Sequence, residues 1–127
     1  MDFNQTDEFK KDLKRLTKKW RSVPKDVEEV EETIAALYVD REGVDRQEFR
    51  ASFFNGKRAS ILQSSEGYEV VKMRLDVESL GTSSKARIIF VAVIFSGQVY
   101  FIELYAKNEK PREDKGRIEK CVKTVAG

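Results

Sequence analysis

Hydrophobic positions along this chain change period partway through. In the first third they recur every three or four residues: Phe9, Leu13, Leu16 and Trp20 mark one stripe, and Val27, Val30, Ile34, Leu37 and Tyr38 a second. Such stripes predict two amphipathic helices. Thr6 or Asp7 is placed to cap the first. The step Ser22-Val23-Pro24 separates them, because a residue before proline is pushed out of the helical region, and Pro24 suits the opening turn of the second helix. Acidic residues (Asp26, Glu28, Glu29, Glu31, Glu32) crowd the first turns of that helix, where the positive end of its dipole favours them.

From Tyr68 the period becomes two. Val71, Met73, Leu75 and Val77 alternate with Val70, Lys72, Arg74 and Asp76, which predicts a strand with one apolar and one polar face. The run ARIIFVAVIF, the pair Ser96-Gly97 and the run QVYFIELYAKNEK then predict a β-hairpin, with Gly97 supplying the positive φ of the turn. The first of these runs is apolar on both faces, as befits a central strand covered on both sides. Gly81-Thr82-Ser83-Ser84 forms the turn before it. After Pro111 the spacing of Ile118, Cys121, Val122 and Val125 is helical again, and Cys121 belongs to that apolar stripe.

Residues 40–67 show no clean period. Gly43, Gly56, Gly67 and the serines Ser60, Ser64 and Ser65 indicate turns, while Phe49, Phe53 and Phe54 require burial. A strand or two, or a long ordered loop, fits this segment. The expected fold is α+β, a single domain over residues 1–127: an N-terminal helical hairpin packed on a small antiparallel sheet, with a C-terminal helix.

Composition narrows the chemistry. With 40% hydrophobic and 36% charged residues, the 127-residue chain reads as a soluble, highly charged globule. No apolar run approaches the roughly 20 residues that span a membrane, and MDFNQTDEFKK lacks the apolar core of a secretory signal. The expectation is a cytoplasmic protein with no membrane partner. A single cysteine excludes an internal disulfide and suits a reducing compartment. Without histidine, a zinc site and the Ser-His or Cys-His nucleophile systems are disfavoured, so neither metal nor cofactor is expected. Any acid–base chemistry falls to Lys, Arg, Tyr or carboxylates. Residues 1–56 carry 11 basic against 13 acidic side chains, a net −2, whereas residues 57–127 carry 13 against 9, a net +4. The sheet half therefore offers the surface for a phosphate-rich partner.

The candidate cations sit at strand ends. Lys72 and Arg74 point the same way, about 7 Å apart by strand geometry. Arg87 opens the next strand, with Lys85 just before it, and Lys107 and Lys110 follow the last strand, whose end lies beside Arg87 in an antiparallel hairpin. Such a cluster binds phosphate oxygens, arginine through two parallel hydrogen bonds. Crowded cations also disfavour protonation of a lysine, which is one route to a base at neutral pH. The rival reading is ordinary solvated charge at strand ends.

The ARIIF strand, the hairpin, the LYAKNEK strand end and the charged helix after it resemble the RelE/ParE superfamily of bacterial toxins, in particular its RelE/HigB-like ribosome-dependent mRNA interferases. FKKDLKRLTKKW and the second amphipathic helix agree in pattern, and the resemblance covers residues 3–38 and 68–125. It implies a RelE-like fold and a toxin of a type II toxin–antitoxin module, a metal-independent endoribonuclease that inhibits translation. In that family, basic residues on the sheet promote attack of an RNA 2′-hydroxyl on the adjacent phosphate. Carried over, Lys72 or Arg74 corresponds to the lysine pair on the second strand. Arg87 corresponds to the arginine that stabilises transition-state charge. Lys107 corresponds to the basic residue that contacts phosphate or protonates the leaving 5′-oxygen. Lys85, Lys110 and Tyr105 are the candidate substrate-binding residues, although alternation from Phe101 sends Tyr105 equally well into the core. Some RelE-like enzymes carry a tyrosine in the C-terminal helix, whereas here none follows Tyr105. The implied partners are a cognate antitoxin, the ribosome and mRNA, and the free toxin is expected to be a monomer. Two alternatives stay open: a ParE-like inhibitor of DNA gyrase, a group that lacks the basic set, and a non-catalytic protein- or RNA-binding module of the same fold.

Overall fold

A computed structural model describes residues 1–39, 42–81 and 83–126. Strand β1 (Asp2–Gln5) leads into helices α1 (Asp7–Lys19), α2 (Val23–Tyr38) and α3 (Gln47–Phe54). Strands β2 (Ala59–Ser65), β3 (Tyr68–Val77), β4 (Ser83–Val93) and β5 (Gln98–Ala106) follow, and α4 (Lys115–Val125) ends the chain. The strands form one five-stranded sheet in the order β1-β5-β4-β3-β2.

The fold is α+β, but the sheet is mixed rather than purely antiparallel. β2 to β5 pair antiparallel in sequence order, and β1 adds to β5 in parallel. A parallel neighbour needs a long crossover, and here that crossover is nearly the whole chain. The four residues of β1 have no alternation to reveal them. The 40–67 segment holds α3 and β2, and Asp40, Arg41 and Thr82 lie outside the described residues.

One face of the sheet carries the main core. Val71, Met73, Leu75, Ala86, Ile88, Phe90, Val99, Phe101 and Leu104 pack against Phe9, Leu16, Val27, Ile34 and Leu37 of α1 and α2, and against Phe54 of α3. The Thr6 hydroxyl accepts from Phe9 N at 3.1 Å and so caps α1. Buried Asp26 ties the start of α2 to the end of β3, accepting from the Ser22 hydroxyl at 2.8 Å and from Glu78 N at 3.3 Å. Arg50 of α3 is fully buried yet satisfied. It donates to Glu69 at 3.1–3.3 Å, pairs with Asp45, and lies 4.3 Å from the Tyr38 ring centre.

α4 covers only part of the opposite face. Ile118 and Cys121 pack on Val70, Ile89, Val91, Val93, Ile102 and Tyr105. Asp12 of α1 anchors this layer, accepting from Arg117 at 2.6 Å, Arg15 at 3.0 Å and Leu104 N at 3.1 Å. Toward the end where β3 stops and β4 begins, this face carries the half-buried Lys72, Arg74 and Arg87.

A bulge sets which β5 side chains reach that face. Ile89 pairs with Glu103 but Phe90 with Phe101, so Ile102 is an extra residue that reverses the alternation. Phe101 and Leu104 therefore belong to the main core, and Glu103 and Tyr105 to the opposite face. The hairpin turn is longer than the two residues Ser96-Gly97. A 3-10 turn (Ile94–Ser96) comes first, and Gly97 takes the expected positive φ, +66°.

Candidate anion-binding site

Register brings the cations together. Arg74 of β3 lies directly opposite Arg87 of β4, and Arg87 opposite Tyr105 of β5. One row along, Ser60 of β2 is opposite Lys72, and Lys72 opposite Ile89. Arg74 N donates to Arg58 O at 2.8 Å, which fixes the start of β2 alongside. The result is an open cavity of about 260 Å³ lined by Lys57, Arg58, Ser60, Lys72, Arg74 and Arg87 with the backbone of Gly56 and Ala59. Among the described residues no acidic one is in that lining. Like charges directly opposite on a sheet destabilise it, so this pairing is an electrostatic cost within the fold.

Arg87 registers that cost. Its guanidinium is half-buried and donates to Ala86 O at 3.0 Å. Burial first, then the charge of Arg74 and, more weakly, that of Arg58, hold its pKa below the ordinary arginine value, with Tyr105 opposing. Lys72 is different, since Glu113 approaches its ammonium at 3.4 Å from the segment between β5 and α4. Arg58 pairs with Asp76 at 2.8 Å, both half-exposed.

Of the residues singled out by sequence, Lys72, Arg74 and Arg87 share the cavity. Lys85 and Lys107 lie together at the end of the β4–β5 ladder, where Lys107 N donates to Lys85 O at 2.8 Å, and both are exposed. They flank the cavity without lining it. The Lys110 ammonium pairs with buried Glu103 and sits 5.3 Å from the Tyr105 ring centre. Tyr105 is 2% exposed, its ring in the layer under α4. Burial first, then Glu113 and Glu103, push its phenol up to about 12.

Four residues of this region were not singled out by sequence. Lys57 and Arg58 follow Gly56 at the mouth of β2, and the adjacent cations after a glycine were the available signal. Ser60 needed the β2–β3 register. Glu113 needed the path of the segment from Lys107 to Asp114, which contacts to β5 and α1 fix. Glu103 accepts from Asp114 N at 2.7 Å and pairs with Lys110. Arg15 of α1 grips Glu109 with two bonds of 3.1 Å. Burial pushes the Glu109 carboxyl up, and the Arg15 and Ala106 N hydrogen bonds more than offset it, leaving its pKa below the usual carboxylate value. The segment is thus pinned at both ends, and Glu113 is delivered to Lys72.

A cavity lined by five cations beside a rigid sheet can hold a phosphodiester and neutralise extra charge on its oxygens. Among the described residues no group of three or more His, Cys, Asp or Glu is placed to hold a metal ion, and no helix is long and apolar enough to cross a membrane. Comparison of the chain with protein-family models, with curated proteins and with solved structures finds no match.

Proposed function

We propose that this protein is a RelE/HigB-like toxin of a type II toxin–antitoxin module, which inhibits translation by cleaving mRNA on the ribosome. The observation that carries the reading is the cavity where Arg58, Lys72, Arg74 and Arg87 converge with no acidic lining residue among those described. A fold does not place arginines opposite each other on adjacent strands for stability. Such strain is held where it does chemistry, and it suits stabilisation of a five-coordinate phosphorus. In this reading Arg87 and Arg74 clamp the scissile phosphate. Lys72 and Arg58 bind the neighbouring backbone. Lys107, exposed at the rim, meets the chain as it leaves. Single-stranded mRNA exposed in the ribosomal A site supplies a substrate narrow enough for this shallow cleft. A small DNA-binding antitoxin from an adjacent gene would neutralise the protein.

Expression in a bacterial host tests this reading. Induction of soluble protein should arrest growth and translation while DNA supercoiling continues. Blocked supercoiling with unimpaired translation would move the protein to the gyrase-inhibitor alternative. One observation favours a non-catalytic RNA-binding module: Tyr105 and Lys110 are engaged within the fold rather than presented to a substrate. Ribosome binding that leaves mRNA whole would establish that second reading.

A further inference from the structure

Glu113 is the acidic side chain in ion-pair contact with Lys72, at 3.4 Å, and its own side chain is only 12% exposed. It is held there by contacts on either side: buried Glu103 with Lys110 and Asp114 N, and, at the surface, Arg15 with Glu109. A carboxylate kept at the border of a cation-lined cavity is out of place if the cavity only binds anions, because it repels them. The Lys72 ammonium, engaged by that carboxylate, is likewise not presented to a substrate hydroxyl as a base. The chain has no histidine, so a proton acceptor at neutral pH must come from elsewhere.

We infer that Glu113 is the general base of the cleavage proposed above, and that Lys72 is a phosphate ligand rather than the base; the inference rests on that reading. An incoming phosphate competes for the Lys72 ammonium and frees the Glu113 carboxylate beside the ribose. Glu113 takes the 2′-hydroxyl proton as the 2′-oxygen forms its bond to phosphorus. The bond from phosphorus to the 5′-oxygen breaks, and that oxygen takes a proton from solvent. The products are a 2′,3′-cyclic phosphate and a 5′-hydroxyl, and Glu113 returns its proton to water. No oxidant, metal or water molecule is consumed. Glu113 faces the Lys72 ammonium of β3 and the neutral Tyr105 phenol of β5, and it lines a separate groove alongside Lys115 and Glu119 of α4.

Single-turnover cleavage of mRNA in programmed ribosomes at neutral pH tests the assignment. Glu113→Ala should bind ribosomes like the wild type and cleave roughly a hundredfold more slowly, within the usual worth of a positioned base. Glu113→Asp should recover part of the rate. Added formate and acetate should rescue Glu113→Ala, acetate more than formate because it is the stronger base, and neither should rescue Lys72→Ala. The role is overturned if Glu113→Gln restores the wild-type rate, because an amide keeps the shape and the contact with Lys72 but accepts no proton. It is equally overturned if Glu113→Ala cleaves within about threefold of wild type. Wild-type protein that binds ribosomes and leaves mRNA intact would overturn the nuclease reading itself, and the base with it.

Discussion

Arg87→Met separates the cost of the cation cluster from its use. The arginine is half-buried, faces Arg74 across the β3–β4 ladder, and has its pKa lowered by burial and by that neighbour. Residues directly opposite on a sheet have Cβ atoms about 5 Å apart, and long side chains of like charge splay their ends to roughly 8 Å. At an effective dielectric of about 20 to 80 the repulsion from one neighbour is roughly 0.5–2 kcal/mol, and salt reduces it. Methionine keeps the aliphatic packing and removes the charge. Relief of repulsion opposes loss of the hydrogen bond to Ala86 O, so Arg87→Met should melt within about 5 °C of wild type, and its standing relative to wild type should improve as salt is lowered. Its activity should fall regardless. Loss of a contact made to transition-state charge costs roughly 3–4 kcal/mol, a hundred- to a thousandfold in rate. Calorimetry of both proteins at two ionic strengths, run beside the mRNA cleavage assay, checks both arms. A variant destabilised by more than about 2 kcal/mol would show that Arg87 is a structural residue, and a stable variant that still cleaves would remove it from the site.

Arg50→Met should cost roughly 3–5 kcal/mol in urea unfolding, because it leaves the largely buried Glu69 carboxylate without its charge partner, whereas Arg58→Met, which breaks the half-exposed pair with Asp76, should change stability by no more than about 1 kcal/mol. The Tyr105 phenol, at about 12 in the fold against about 10 when unfolded, keeps its proton longer in the native state. Stability should fall as pH rises from about 10 to about 12, and Tyr105→Phe should lessen that fall in urea midpoints, the rest coming from Tyr38, whose phenol is pushed higher still by burial and Glu69. Burial pushes the Cys121 thiol up to about 11, so iodoacetamide should label it at neutral pH only once the chain is unfolded.

The sequence was legible where structure is local. The α1 and α2 stripes, the alternating β3 and the β4–β5 hairpin each rest on residues a few positions apart, and most of their buried members are the ones the periods pick out. Asp12, Val23 and Asp26, however, are buried outside the stripes, and Leu13 is only partly buried. β1 was not legible, because its parallel pairing to β5 spans more than 90 residues and Asp-Phe-Asn-Gln carries no pattern. α3 hid its role for a similar reason. An arginine reads as exposed until Glu69, 19 residues on, arrives to neutralise it. In the site, Lys72, Arg74 and Arg87 could be grouped from strand parity and hairpin geometry alone. Tyr105 could not be assigned to a face, because one extra residue at Ile102 reverses the alternation. Lys110 and Glu113 depend on where the segment after β5 runs, which is fixed by partners on α1 and β5 rather than by neighbours in sequence.

The central claim is that the cation-lined cavity breaks RNA phosphodiester bonds. End mapping of an mRNA held in ribosomes, with wild-type protein and with Arg87→Ala, tests it most directly. The account predicts discrete cuts within the translated frame that carry 2′,3′-cyclic phosphate ends, absent without ribosomes and absent with Arg87→Ala. Intact mRNA in ribosomes saturated with folded wild-type protein, or identical cuts made by Arg87→Ala, would contradict it.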